Sequence, residues 1–294
     1  MTDALLDNAT TTSTRVVMLG TGTPRPDPER SGPATVIVAE GTPYLIDFGA
    51  GVVRRATAAF EKGVNALGYA AVNIRVAFLT HMHSDHTIGF PDLIFTPWVM
   101  GRHEPLSVYG PKGIVAMTEH VLKAWQVDVE GRTNGINRHN STGCTVKPHE
   151  IAPGIIYQDQ NVKVTAFPVC HEEMVHSFGY RFDTRDRTIV ISGDTAPVQS
   201  LVDHSQSCDV LIHEAYSMQS YARVPERAQE FRRRHHTSTI ELAAIANRVK
   251  PKLLVLYHPA SVGDRTPYSA ETLLSEITRH YDGAVVAARD LDIF

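Results

Sequence analysis

His81-Met82-His83-Ser84-Asp85-His86 follows residues 74–80 (IRVAFLT), an apolar, β-prone run that stops at the first histidine. Three imidazoles and one carboxylate within six residues form a dense set of cation donors. A strand that ends in a curved loop turns neighbouring side chains apart. Two histidines can then face one cation while an Asp-His pair faces a second. The donors suit zinc, with manganese or iron less favoured. An accidental His-rich loop would stand alone, whereas histidines and carboxylates recur where later strands end, at His171, Asp194, His213-Glu214 and His258. Two cations held close together need a bridging ligand, and a carboxylate serves well. Asp194, isolated in SGDT, is the candidate.

Outward from this stretch the pattern alternates between strand and helix. Strands are expected at 15–19, 34–39, 44–47, 74–80 and 106–109, with helices at 52–61, from 87 onward and over 114–125. Residues 128–150 turn polar and read as a loop. The second half repeats the rhythm, with strands at 162–169, 177–182, 188–192, 210–212, 253–257 and 285–287. A helix over 238–248 begins with Ser238 and Glu241 in capping-box spacing. Two β-rich halves with interspersed helices imply two stacked sheets covered by helices. Residues 1–14 read as a flexible polar arm and 15–294 as one domain.

Composition sets the bounds. The chain has 294 residues, 43% of them hydrophobic and 20% charged, enough to bury a full core. A net charge of −4 and the lack of a long basic run argue against a broad nucleic-acid surface. The one basic cluster, Arg232 to Arg234, lies beside His235 and His236, where it could meet an anionic substrate. Three scattered cysteines, Cys144, Cys170 and Cys208, make no disulfide framework and point to a reducing, cytoplasmic setting. No run is apolar and long enough for a membrane span, and the first residues lack the pattern of a signal peptide.

In order along the chain, LGTGTPRP, LIDFGAG, HMHSDH, PLSVYGPKG, FGYRF, ISGDT, LIHEAYS, HTSTIELAAIA and a His after the last long apolar strand resemble the metallo-β-lactamase superfamily, and within it the ribonuclease Z-like branch. The resemblance covers roughly residues 15–260. It implies an α/β fold, a four-layer αββα sandwich, and a metal-dependent hydrolase with two divalent ions, Zn2+ first and Mn2+ or Fe2+ as alternatives. It also implies that His81, His83 and His171 hold one ion, that Asp85, His86 and His258 hold the other, and that Asp194 bridges. Glu214 and His236 match the pair that manages protons in this branch. Asp85 would orient the nucleophile, and Asp47 in LIDFG matches a carboxylate that orients a ligand histidine. His176 competes with His171 for the third place at the first ion; the strand-end position favours His171. His213 reads as structural, and most of the remaining histidines, a group that includes His235, read as surface residues.

One departure stands out. Members of the branch that process tRNA carry a long arm, often between the GYR and GDT segments, where this chain has only residues 183–187. tRNA is therefore expected to be an unlikely partner. A small or short anionic substrate is expected instead, without a membrane partner, and a homodimer stays open. The expected chemistry is phosphodiester hydrolysis by a hydroxide held between the ions. An ester, lactone or sulfate-ester hydrolase, or a metal-containing binding protein with little turnover, are the alternatives.

Overall fold

The computed structural model describes residues 13–260, 263 and 269–294. In the first half, β1 (Arg15–Gly20), β2 (Ala34–Ala39) and β3 (Thr42–Ile46) form an antiparallel meander. Then follow α1 (Val52–Glu61), β4 (Val76–Phe78), α2 (Ser84–Thr87), α3 (Phe90–Val99), β5 (Leu106–Gly110), α4 (Ile114–Ala124), α5 (Gln126–Asn134) and β6 (Val146–Glu150). The sheet order is β1-β2-β3-β4-β5-β6, parallel from β3 onward. The second half contains β7 (Gly154–Gln158), β8 (Val162–Pro168), β9 (Phe178–Thr184), β10 (Thr188–Ile191), α6 (Gln199–His204), β11 (Val210–Ala215), α7 (Met218–Tyr221), α8 (Glu226–His235), α9 (Thr239–Val249), β12 (Leu253–Pro259), α10 (Ala270–Ile277) and β13 (Val285–Ala287). Its order is β13-β12-β11-β10-β9-β8-β7, parallel from β10 to β13.

Strand periodicity sorts the apolar residues into layers. In β1, Val17 and Leu19 pack with α1, α3 and α4, while Val16 and Met18 pack against the other sheet. In β11, Val210 and Ile212 face the inter-sheet core, while Leu211 and Ala215 pack beneath α6, α9 and α10. Central strands buried on both faces explain the near-continuous apolar runs ATVIVA and LLVLY. The result is the expected four-layer αββα sandwich. No helix among the described residues is long and apolar enough to cross a membrane.

Two expectations fail locally. Residues 128–150 are a loop only at 135–145; 128–134 belong to α5 and 146–150 form β6. α5 buries none of its residues, so it shows no apolar stripe to read. α8 escaped detection for a different reason: its fully buried residues are Arg232 and His235, not aliphatics. The Ser238–Glu241 capping box of α9 is formed as expected. The expected arm at 1–14 lies outside the described residues except for its last two. Of these, Thr14 is buried and bonds Asp186 in the β9–β10 turn.

The short helix α2, which carries Asp85, is seated by backbone-to-backbone contact. A Cβ at Gly49 would fall 2.5 Å from the Asp85 carbonyl oxygen and 2.5 Å from the Gly32 carbonyl carbon. Gly49→Ala is therefore expected to destabilise the protein by about 1–3 kcal/mol through overpacking. Gly131→Ala, in an open position of α5, should be neutral or stabilising by up to about 1 kcal/mol. Thermal unfolding of the two variants side by side checks both signs.

Candidate metal centre

Strand ends deliver the site. β4 runs into Thr80-His81, β8 precedes His171, β10 precedes Asp194, β11 ends past Glu214, and β12 carries His258 near its end. His81 Nε2 and His171 Nε2 lie 3.0 and 3.1 Å from His83 Nδ1. Asp85 Oδ2 lies 3.2 Å from His258 Nε2 and 3.5 Å from His86 Nε2. Asp194 Oδ1 lies 3.6 Å from His86 Nε2 and 3.4 Å from His258 Nδ1. The side-chain donors of His81, His83 and His171 lie within 4.8 Å of one another, as do those of Asp85, His86 and His258. His81, His86, His171, Asp194 and His258 are buried, while His83 is half-buried and Ser84 exposed, so the cluster opens to solvent on that side.

Hydrogen bonds behind the rings decide which nitrogens carry protons. Asp47 Oδ2 accepts from His86 Nδ1 at 2.8 Å, which fixes the ring and aims Nε2 into the cluster. Thr80 Oγ1 donates to Asp47 and so accepts from His81 Nδ1, leaving His81 Nε2 bare. The His235 carbonyl accepts from His171 Nδ1 at 2.8 Å, leaving His171 Nε2 bare. Two bare lone pairs thus point at His83 Nδ1, whose single proton can satisfy only one of them. A cation resolves this conflict. Ligand atoms on a tetrahedral zinc with bonds of about 2.0–2.1 Å lie about 3.3–3.4 Å apart, close to the spacings here. His86 Nε2, Asp194 Oδ1 and His258 Nδ1 are buried without a hydrogen-bond partner, as expected of atoms shaped for an ion. The residues present fit divalent metal.

Electrostatics agree. Burial pushes His171 down to about 4 and His81 well below its usual value, so both imidazoles are neutral and able to ligate. Burial opposes ionisation of Asp194, but His258 and His86 outweigh it and hold the carboxyl well below the usual range. His86 is raised, because Asp47 and Asp194 overcome its burial. These carboxylates favour a positive charge at the spot, and a metal ion supplies one.

Beside this cluster sit Glu214 and His236. Glu214 Oε1 accepts from Thr195 N and Thr237 N at 3.3 and 3.1 Å and lies 3.2 Å from His236 Nδ1. A His236 ring nitrogen lies within 4.8 Å of donors on His171 and Asp194. Burial, reinforced by Asp194, raises Glu214 well above the carboxylic range, and burial lowers His236 to about 4. His176 is exposed and absent from these donor groups, and His213 is buried with Nδ1 on the Glu214 carbonyl. His235 is buried, contrary to its reading as a surface residue. Thr80, which couples Asp47 to His81, also went unread; its place between a strand and the first ligand was the available signal.

A cleft of about 620 Å3 runs from Ser84 and Asp85 between the 23–32 loop and the start of α1, lined by Arg25, Arg30 and Ile88 among others. Arg30 is anchored there on Thr21 and the Ala288 carbonyl.

Two sheets that share an edge with a histidine–aspartate centre define a metal-dependent hydrolase of metallo-β-lactamase architecture. A family model described as beta-lactamase superfamily domain matches residues 42–259. Ribonuclease Z of Mycobacterium bovis is 33% identical over 248 residues, covering 83% of this chain and 85% of that protein. Human tRNase Z, short form, shares the fold with a TM-score of 0.67 at 23% identity, covering 95% of this chain and 98% of that one. The metallo-beta-lactamase fold protein YhfI from Bacillus subtilis gives a TM-score of 0.72 at 17% identity, covering 96% and 98%. The chain belongs to the β-lactamase superfamily and, within it, to the ribonuclease Z branch. It is a hydrolase of the phosphodiesterase type that depends on divalent metal.

These relatives correct one expectation. tRNA was read as an unlikely partner because the arm is missing and the net charge is −4. Residues 185–187 alone do join β9 to β10, but relatives of similar length are named Ribonuclease Z, so the inference does not hold. Its physical weakness is clear in the structure. Net charge is a sum over the whole surface, whereas phosphates respond to local groups within about a Debye length, and Arg25 and Arg30 line the cleft at the centre.

Because Asp47 fixes the His86 ring directly and the His81 ring through Thr80, Asp47→Ala should weaken divalent-metal binding by about 10–100-fold. Competition with a chromogenic chelator measures this, and retention of wild-type affinity would refute the orienting role.

Proposed function

We propose that the chain is a dinuclear metal-dependent nuclease that hydrolyses RNA phosphodiesters, with tRNA as a substrate. The observation that carries this reading is a proton-carrying pair, Glu214 and His236, set against two donor triads that flank Asp194. Membership of the ribonuclease Z branch supports it. His81, His83 and His171 would hold a first ion and Asp85, His86 and His258 a second, with Asp194 beside both as the shared carboxylate. Zinc fits the imidazole-rich set best, with manganese and iron as alternatives.

Bound divalent ions lower the pKa of water toward about 7 and polarise a phosphoryl oxygen. The chain's own residues supply the rest. Asp85 orients the attacking water. Arg25 and Arg30 hold the anionic strand in the cleft that leads to Asp85. His236 Nδ1 faces Glu214, so the other ring nitrogen is available to the leaving oxygen. Since burial raises Glu214 and lowers His236, a proton taken up by the pair rests on the Glu214 side and reaches the leaving oxygen through His236. A ribose oxygen is a poor leaving group, and a positioned acid of this kind typically contributes about 10²–10⁴-fold.

His236→Ala should therefore retain its metals while losing about 10²-fold or more on poor leaving groups, and much less on activated aryl phosphodiesters. Metal analysis alongside kinetics on both substrate types tests this. Equal losses on both with metals retained would remove the acid role, and loss of an ion would make His236 a ligand. For the substrate itself, metal-loaded protein is incubated with tRNA bearing a 3′ extension and with unstructured RNA. Cleavage that disappears in Asp194→Ala is expected. Hydrolysis of an aryl phosphodiester with both RNAs left intact would sink the RNA assignment.

A further inference from the structure

His171 is followed by two acidic residues, and His236 is preceded by two basic ones. The structure joins these four residues in register. Arg234 pairs with Glu172 at 3.1 Å, and His235 Nε2 lies 2.5 Å from Glu173 Oε2. The two pairs differ in surroundings. The Arg234 and Glu172 side chains are 55% and 37% exposed, and such ion pairs contribute about 0–1 kcal/mol. The His235 side chain is 3% exposed. Its Nδ1 lies 2.8 Å from the Phe231 carbonyl, and its ring stacks on Phe231 with centroids 3.9 Å apart. The ring is thus packed along the C-terminal turn of α8 and held there by a hydrogen bond and a stack. The same residue's backbone carbonyl accepts from His171 Nδ1. The loop between closes on itself through Met174 N to the His171 carbonyl, 2.9 Å.

We propose that His235 and Glu173 are positioning residues that clamp the 171–176 loop onto the end of α8. The clamp sets the His171 ring and the His236 ring from one rigid point. His235 acts twice, its carbonyl orienting the His171 ring and its own ring holding the loop that carries His171. His236, the next residue, inherits its position from the same turn through its N–H to the Arg232 carbonyl, 2.8 Å. Metal retention at the first ion and proton delivery to the leaving group are therefore coupled through the backbone at residue 235. The inference rests on the proposed ligand role of His171.

Glu173→Ala tests it without threatening the fold, because the Glu173 side chain is 75% exposed. Expected is a loss of metal affinity of about two- to fivefold, the range of a pair with one exposed partner, with faster release to chelator. Glu173→Gln, which keeps an oxygen acceptor for His235, should recover most of it. Glu172→Ala should match wild type. In the metal-free protein, hydrogen exchange at the Met174 amide should quicken in Glu173→Ala while amides of β8 stay unchanged. Wild-type metal affinity together with wild-type exchange in Glu173→Ala would overturn the clamp while leaving the metal assignment intact. A wild-type protein that binds no divalent ion would overturn the ligand assignment and the clamp with it.

Discussion

One buried carboxylate organises the centre. Asp47 accepts from Thr80 N, Thr80 Oγ1 and His86 Nδ1 and is only 2% exposed. An unpaired carboxylate in such a place would cost several kcal/mol, so the three donors are a condition of its burial. It also sits at φ 58, a conformation that non-glycine residues avoid. That turn occurs where β3 ends, and β3 pairs in parallel with β4, so the carboxylate reaches across to Thr80, two residues past β4. From there it sets His86 in one donor triad and, through Thr80, His81 in the other. The orientation of both triads thus depends on one side chain in neither.

The other strands repeat the logic. β10, β11 and β12 run parallel, so their C-terminal ends lie on one edge and present Asp194, Glu214 and His258 together. Helices cover the outer faces and leave that edge to loops, and loops on a rigid scaffold are where chemistry is placed. The tail closes the assembly. Residues 291–294 pair with β1, and Asp290 accepts from Thr21 N, Thr21 Oγ1 and Ser31 N. Its ion pair with Arg55 ties α1 to the same point. The floor of the cleft is thereby held from the far end of the chain.

This division explains what could be read from the residues alone. The strands were legible because sheets buried on both faces demand apolar runs, and the convergence of donors followed because each run stopped at a histidine or carboxylate. α5 and α8 were not legible. One buries nothing, and the other buries Arg232 and His235, which count as polar in any periodicity. Thr80 and His235 were missed for a related reason, since they act on a ligand ring from behind and have no metal-binding pattern of their own. The reading of tRNA failed because an absent segment and a summed charge describe the whole chain, while binding is settled by a few side chains beside the cleft.

The same structure bears on how metal and fold are coupled. Small zinc domains are unfolded without their ion because no core holds the ligands. Here three apolar clusters hold the strands whose ends carry the donors. The ring orientations of His81, His86 and His171 are set by Thr80, Asp47 and the His235 carbonyl, all groups of the protein. The orientation of the donors is thus built into the fold, and stabilisation by a bound ion would follow mass action, about 2.7 kcal/mol when the free ion is at 100 times its Kd.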